Sequence, residues 1–373
     1  MIEMSAIDQL IAGGVRGLQP YQPGKPVEAL ERELGITDII KLASNENPHG
    51  SSPAVSAAIT GFLSGLSRYP DGSGHSLKQV LSKRLGVRAT QITLGNGSND
   101  VLDLVTRAFV DPGQQVVVAE HAFAVYALSA KSVNAELVVV PARDFGHDLE
   151  AMAATVTDST RVVFVANPNN PTGTYHGNDA VQNFLNVLPA NTVAVIDEAY
   201  FEYVKEEAYP DGIDLLSSFP NLIVVRTFSK AYGLAGLRVG YAIASDQITE
   251  VLNRVRHPFN VSSLALIAAE AALTDESFVV DSVSENLKGL RQLESGFADL
   301  NLEWIPSVAN FISVRVGANA TQIFDSMLRQ GVIVRPVANY GLTEHLRISV
   351  GLEQENNRAL QALKTALLET AST

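Results

Sequence analysis

Between residues 91 and 244 the chain sets seven short Val- and Ile-rich runs between amphipathic stretches: "QITL", "QVVVA", "ELVVV", "RVVFVA", "TVAVI", "NLIVV" and "RVGYAIA". Runs that are apolar at nearly every position, rather than at every second one, must be covered on both faces. Spaced by helices, they predict an α/β fold with a mostly parallel seven-stranded sheet flanked by helices. Ser52-Pro53 reads as a helix start and Gly86 as a helix end. After "RHPFNVSS" the pattern changes to an Ala- and Leu-rich helical region over about 262–300, then "FISVRV", a helix "TQIFDSMLRQ" ended by Gly331, two short strands and a final helix. This predicts a smaller α+β domain. The expected division is an N-terminal arm over 1–40, which covers the smaller unit or a neighbouring chain, a large domain over 41–257 and a small one over 258–373.

Charge and composition narrow the chemistry. Against 40 Asp and Glu the chain has 27 Lys and Arg, a net charge of −13, which disfavours nucleic acid and anionic lipid as partners and favours small molecules. It has no Cys, so disulfides, thiolate nucleophiles and thiolate metal sites are excluded. The seven His show no metal-ligand spacing, and no metal is expected. The N-terminus lacks the basic segment and apolar core of a signal peptide, and no apolar run approaches a membrane span. The expected location is the cytoplasm.

In an open parallel sheet, ligands sit beyond the carboxyl ends of the strands. "QITL" runs into Gly95-Asn96-Gly97-Ser98-Asn99-Asp100, a turn that frees helix N–H groups for a phosphate or simply carries a cap at Ser98 or Asn99. It departs from a dinucleotide fingerprint at Asp100, where the third Gly belongs. "QVVVA" leads to Phe123, a ring for stacking or for the core. "RVVFVA" leads to "NPNNPTG", a rigid loop whose Asn167, Asn169 and Asn170 offer amide donors. "TVAVI" ends in Asp197-Glu198-Ala199-Tyr200, and "NLIVVR" leads to Thr227, Ser229, Lys230 and Arg238. Five such ends on one sheet outweigh the bland reading of each alone.

A phosphorylated pyridine aldehyde needs what these ends offer. Lys230 supplies the amine for a covalent bond, Asp197 a carboxylate for the ring nitrogen, and Tyr200 with Asn170 donors for the ring oxygen. Arg238, Ser229, Thr227 and the amides of Gly97, Ser98 and Asn99 supply a phosphate clamp, and Phe123 a stacking ring. A nicotinamide enzyme built on "GNGSND" would leave Lys230 without a role. No GxSxG turn or P-loop occurs.

These residues sit within motifs that resemble the pyridoxal-phosphate-dependent transferases of the aspartate aminotransferase fold type, most of all the histidinol-phosphate aminotransferases. The motifs are "LQPYQPG", "KLASNENP", "RYPDG", "NPNNPTG", "DEAYFEY", "SKAYGLAGLRVGY" and "GVIVRPV" with its following "YGL" and "LRISVG". The resemblance implies pyridoxal 5'-phosphate bound at Lys230 and the roles given above. It also implies a homodimer in which Tyr69 reaches the neighbour's cofactor phosphate, and substrate contacts from Tyr21, Asn45, Arg335 and Arg347. Two positions depart from the family's pattern: Phe123 stands where many members have Tyr, and the phosphate loop reads "GSND". The implied reaction converts histidinol phosphate and 2-oxoglutarate to imidazole acetol phosphate and glutamate in histidine biosynthesis. The alternative is transamination of phenylalanine or tyrosine.

Overall fold

A strand with no polar side to show to water must be sandwiched, and six of the seven apolar runs are; the seventh, 136–140, is the edge strand of the sheet and leaves Val139 50% exposed. The computed structural model describes residues 6–371; residues 1–5 of the expected arm and 372–373 of the expected small domain lie outside the described residues. After a two-residue strand, β1 (Ile40–Lys41), the runs form β2 (Ile92–Gly95), β3 (Gln115–Ala119), β4 (Glu136–Val140), β5 (Thr160–Ala166), β6 (Val193–Asp197), β7 (Leu222–Thr227) and β8 (Gly240–Ala244). They make one sheet in the order β2-β8-β7-β6-β5-β3-β4. In β6 and β7 every residue is buried, and each Val or Ile removed from water contributes roughly 1.5–3 kcal/mol.

The sheet is parallel except at β8, which runs antiparallel to both β2 and β7. The cause is the connection: residues 228–239 contain only a short 3-10 turn, Ala235–Leu237, and a parallel return needs a full crossover. The same loop carries Lys230 and Arg238, so the reversal brings both back to the carboxyl edge of the sheet.

The later strands are β9 (Trp304–Ile305), β10 (Phe311–Arg315), β11 (Val332–Ile333), β12 (Arg335–Pro336) and β13 (His345–Ser349). Four form an antiparallel sheet, β12-β13-β10-β9, whose Ile312, Val314, Leu346 and Ile348 pack on Ile323, Met327 and Leu363 of the helices Ala320–Arg329 and Glu353–Ala371. β1 pairs in parallel with β11, and the helix Val27–Leu34 sets Leu30 against Leu328 and Ile333. The expected helical region over 262–300 is two helices, Ser263–Thr274 and Glu276–Asp299. Asp275 breaks it, because its carboxylate accepts the Phe278 N–H at 3.2 Å as the cap of the second helix. Ser52 and Gly86 stand at the helix ends expected of them.

Hydrogen bonds fasten the small sheet and its β9–β10 connection to the loop after β5, among them Ser313 Oγ to Pro171 O at 2.6 Å and the Val308 N–H to Gly173 O at 3.1 Å. The cleft between these parts holds the polar strand ends.

Candidate active site

At one end of the cleft a helix start meets a guanidinium. The helix Ser98–Phe109 begins just after Gly97, whose φ is 78°. A Cβ on Gly97 would lie 2.3 Å from Arg238 Nη2, so glycine leaves room for the guanidinium where it stands, at a φ that other residues rarely adopt. Arg238 Nη1 donates to Ser229 Oγ at 3.2 Å, and the Ser229 N–H donates to Thr227 Oγ1 at 3.2 Å. Asp100, the residue that breaks the dinucleotide pattern, ties the turn together by accepting from Asn96 N at 2.8 Å and Asn260 Nδ2 at 2.7 Å. Free helix N–H groups, hydroxyls and a guanidinium around one point suit a phosphate.

The middle of the cleft holds a carboxylate and an amine. Asp197, last in β6, is buried and accepts from the Tyr126 hydroxyl at 2.8 Å and the Ala199 N–H at 3.1 Å. Burial pushes its carboxyl up from 3.8 to about 6, although those two bonds favour the ionised form. The next residue, Glu198, faces away, as strand alternation requires, and pairs with buried Arg226 at 2.7 Å. Lys230 Nζ donates to Ser44 O at 3.2 Å and lies 5.6 Å from the centre of the Tyr200 ring. Burial first, and then the positive charges of Arg347 and Arg238, bring its ammonium down from 10.5 to about 7. An amine that is partly neutral near pH 7 is a nucleophile and a base.

The far end is cationic. Arg335 and Arg347 are register partners on β12 and β13, and both are buried. Arg347 Nη1 donates to Asn170 Oδ1 at 2.5 Å and Nη2 to Ala43 O at 2.6 Å. Its Nε is buried and has no hydrogen-bond partner among the described residues. Arg335 Nη2 donates to Gln22 O at 2.6 Å, and its guanidinium stands 5.8 Å from the Tyr21 ring centre. Tyr21 meets the Phe123 ring edge-on at 6.4 Å. Because Arg347 claims the Asn170 oxygen, the amide NH2 of Asn170 is left to donate.

One cavity of about 230 Å³ is lined by Ser98, Asn99, Phe123, Asn170, Asp197, Tyr200, Thr227, Ser229, Lys230 and Arg238, together with Tyr21, Asn45, Arg335 and Arg347. Gly97 stands just behind it, against Arg238. Tyr69 is not among the lining residues; it is 82% exposed and stacks on Phe259 at 4.8 Å. Asn45, expected on the substrate, has its amide engaged by Tyr200 and Ser349. Sequence reasoning assigned no role to Tyr126, whose ring is buried and stacked on Phe164 at 4.7 Å. Its spacing of three from Phe123 on a helix start was the available signal.

The family model for aminotransferase class I and II matches residues 37–363. The chain is 56% identical to histidinol-phosphate aminotransferase 2 of Pseudomonas fluorescens over 95% of this chain and 96% of that protein. It is also 56% identical to histidinol-phosphate aminotransferase 2 of Pseudomonas aeruginosa, over 98% and 99%. The crystal structure of histidinol-phosphate aminotransferase from Sinorhizobium meliloti in complex with pyridoxal-5'-phosphate superposes with a TM-score of 0.90 at 31% identity, covering 96% of this chain and 98% of that one. The chain belongs to the aminotransferase class I and II family.

Proposed function

We propose that the chain moves an amino group from histidinol phosphate to 2-oxoglutarate in histidine biosynthesis, with pyridoxal 5'-phosphate held at Lys230. The observation that carries this reading is a buried amine near neutrality facing Asp197 across one cavity, between a phosphate-like cradle at one end and two paired arginines at the other.

The residues present fit the cofactor. Ser98, Asn99, Thr227, Ser229 and Arg238 would hold its phosphate, with Gly97 giving the room. Asp197, oriented by Tyr126, would face the ring nitrogen, Asn170 and Tyr200 the ring oxygen, and Phe123 the ring face. When bound, pyridoxal phosphate supplies an aldehyde that condenses with amines and a pyridine ring that draws electrons from the attached carbon. Lys230 Nζ takes the proton from the substrate carbon that bears nitrogen, and its lowered affinity for protons keeps it ready to do so. Asp197, placed in a buried site, stabilises positive charge at the ring nitrogen.

Arg335, Arg347 and Tyr21 receive the substrate's anionic group. The guanidinium forks and the unpartnered Nε of Arg347 match a phosphate or a carboxylate, as the two substrates require. Relatives at 56% identity that are named histidinol-phosphate aminotransferases favour the phosphate ester over phenylalanine or tyrosine. Steady-state assays with 2-oxoglutarate test the choice: kcat/KM for histidinol phosphate should exceed that for phenylalanine by ~100-fold or more, and equal values would reverse it.

The working unit in this reading is a cytoplasmic homodimer with shared sites. Support comes from Tyr69, exposed beside Phe259 with Leu63 and Leu66 also exposed nearby in sequence. Among the described residues no helix is long and apolar enough to cross a membrane. Mixing Lys230→Ala protein with Tyr69→Ala protein should restore up to about a quarter of wild-type activity, because half the re-formed dimers contain one intact site. No gain on mixing would exclude sharing through Tyr69.

A further inference from the structure

Three consecutive residues after β1 each hold a different side chain of the cavity. Ala43 O accepts from Arg347 Nη2 at 2.6 Å, and Ser44 O from Lys230 Nζ at 3.2 Å. The third, Asn45, donates from Nδ2 to the Tyr200 hydroxyl oxygen at 2.9 Å.

The orientation of the Asn45 amide is determined by its other neighbour. The Asn45 N–H donates to Ser349 Oγ at 2.8 Å, and Ser349 Oγ donates to Asn45 Oδ1 at 2.9 Å. A hydroxyl has one proton, so this exchange turns Oδ1 to Ser349 and leaves Nδ2 for Tyr200. The backbone is fixed as well: φ at Asn45 is 54°, a conformation asparagine tolerates better than most residues, and its carbonyl accepts from Asn310 Nδ2 at 3.0 Å.

The consequence falls on Tyr200. A phenol that already accepts an N–H on its oxygen keeps its own O–H for another acceptor, and no described residue takes that proton. Tyr200 is buried and lines the cavity. An aspartate at position 45 would have the opposite effect, since a carboxylate only accepts and would draw the phenol proton away.

We propose that Asn45 is a positioning residue that reserves the Tyr200 hydroxyl proton for the acceptor bound in the cavity, and that it does not itself contact the substrate. This rests on the reading that the cavity holds pyridoxal phosphate with its ring oxygen toward Tyr200. Ser349 shares β13 with Arg347, two residues away, so the strand that carries a substrate arginine also sets the amide.

The test uses the cofactor-loaded protein and four variants: Asn45→Ala, Ser349→Ala, Tyr200→Phe and the double variant Asn45→Ala/Tyr200→Phe. The readouts are the pH midpoint of the bound cofactor's visible band, its dissociation constant by equilibrium dialysis, and KM against kcat. Tyr200→Phe should move the midpoint by about one pH unit, the scale of one lost hydrogen bond to a charged group. Asn45→Ala and Ser349→Ala should move it in the same direction by less, with KM for histidinol phosphate within about twofold of wild type. The double variant should match Tyr200→Phe alone.

If Asn45→Ala does not fold, Ser349→Ala reads the same relay. A midpoint unmoved by Asn45→Ala or Ser349→Ala, or a loss in the double variant beyond that of Tyr200→Phe, overturns the proposal while leaving the functional reading intact. A wild-type protein with no visible band after addition of pyridoxal phosphate overturns both.

Discussion

Arg335 and Arg347 are direct partners across the antiparallel pair β12–β13. Like charges placed opposite one another on a sheet are destabilising, and both side chains are buried, so the pair makes physical sense as a receptor for an anion. Arg335→Met should lower kcat/KM for histidinol phosphate by about 10- to 100-fold, the scale of one charge-assisted hydrogen bond. The stability of the ligand-free protein should change by less than about 1 kcal/mol, because relief of repulsion offsets the lost bond to Gln22. Steady-state kinetics and urea denaturation check the two halves separately.

Lys230 connects rate and stability through pH. Its folded-state value of about 7 lies below the ordinary 10.5, so between those limits the unfolded chain binds a proton that the folded chain does not. Stability of the cofactor-free protein should therefore rise with pH through that window, by at most ~1.4 kcal/mol per unit. Lys230→Met should remove that contribution and abolish transamination, as denaturation curves at several pH values and activity assays would register.

Asp197 shifts in the other sense for an acid. Burial holds it near 6 against an ordinary 3.8, so the folded chain carries the extra proton between those values and this contribution to stability falls as pH rises from about 4 to 6. Asp197→Asn should flatten the slope and lower kcat by roughly 10²–10³ through loss of charge stabilisation. Tyr126→Phe removes a bond to the ionised carboxylate and should displace the slope to higher pH.

The neighbouring Glu198 contributes to stability on the opposite face. Its carboxylate takes Arg226 Nε at 2.9 Å and Nη2 at 2.7 Å, and the Gly212 N–H at 2.8 Å. Glu198→Ala leaves the buried guanidinium with Asp211 as its one remaining ion pair among the described residues and should cost about 3–5 kcal/mol, visible as a lowered denaturation midpoint. A loss below 1 kcal/mol would contradict this view of the pair.

What was legible in the sequence follows from locality. The strands were readable because burial on both faces leaves an unbroken apolar run, and Asp197, Lys230 and Asn170 because each stands within a few residues of such a run. The reversal at β8 was not, since a run of Val and Ile carries no direction; only the helix-poor loop from 228 to 239 hinted at it. The break at Asp275 was hidden inside an apolar helical pattern. Tyr126 acts through a hydrogen bond to a partner 71 residues away and Asn45 through bonds to partners 155 and 304 residues away, and no local pattern encodes such a pairing. Tyr21 and Arg335 meet across still more chain, and there the family resemblance rather than periodicity supplied the expectation.

The most direct measurement is a single half-reaction. Protein loaded with pyridoxal phosphate, without any oxo acid, is mixed with histidinol phosphate, glutamate or phenylalanine, and the cofactor's visible absorption is followed over time. Rapid loss of the band with histidinol phosphate and with glutamate, and much slower loss with phenylalanine, is the predicted result. Loss as fast or faster with phenylalanine would contradict the assigned substrate.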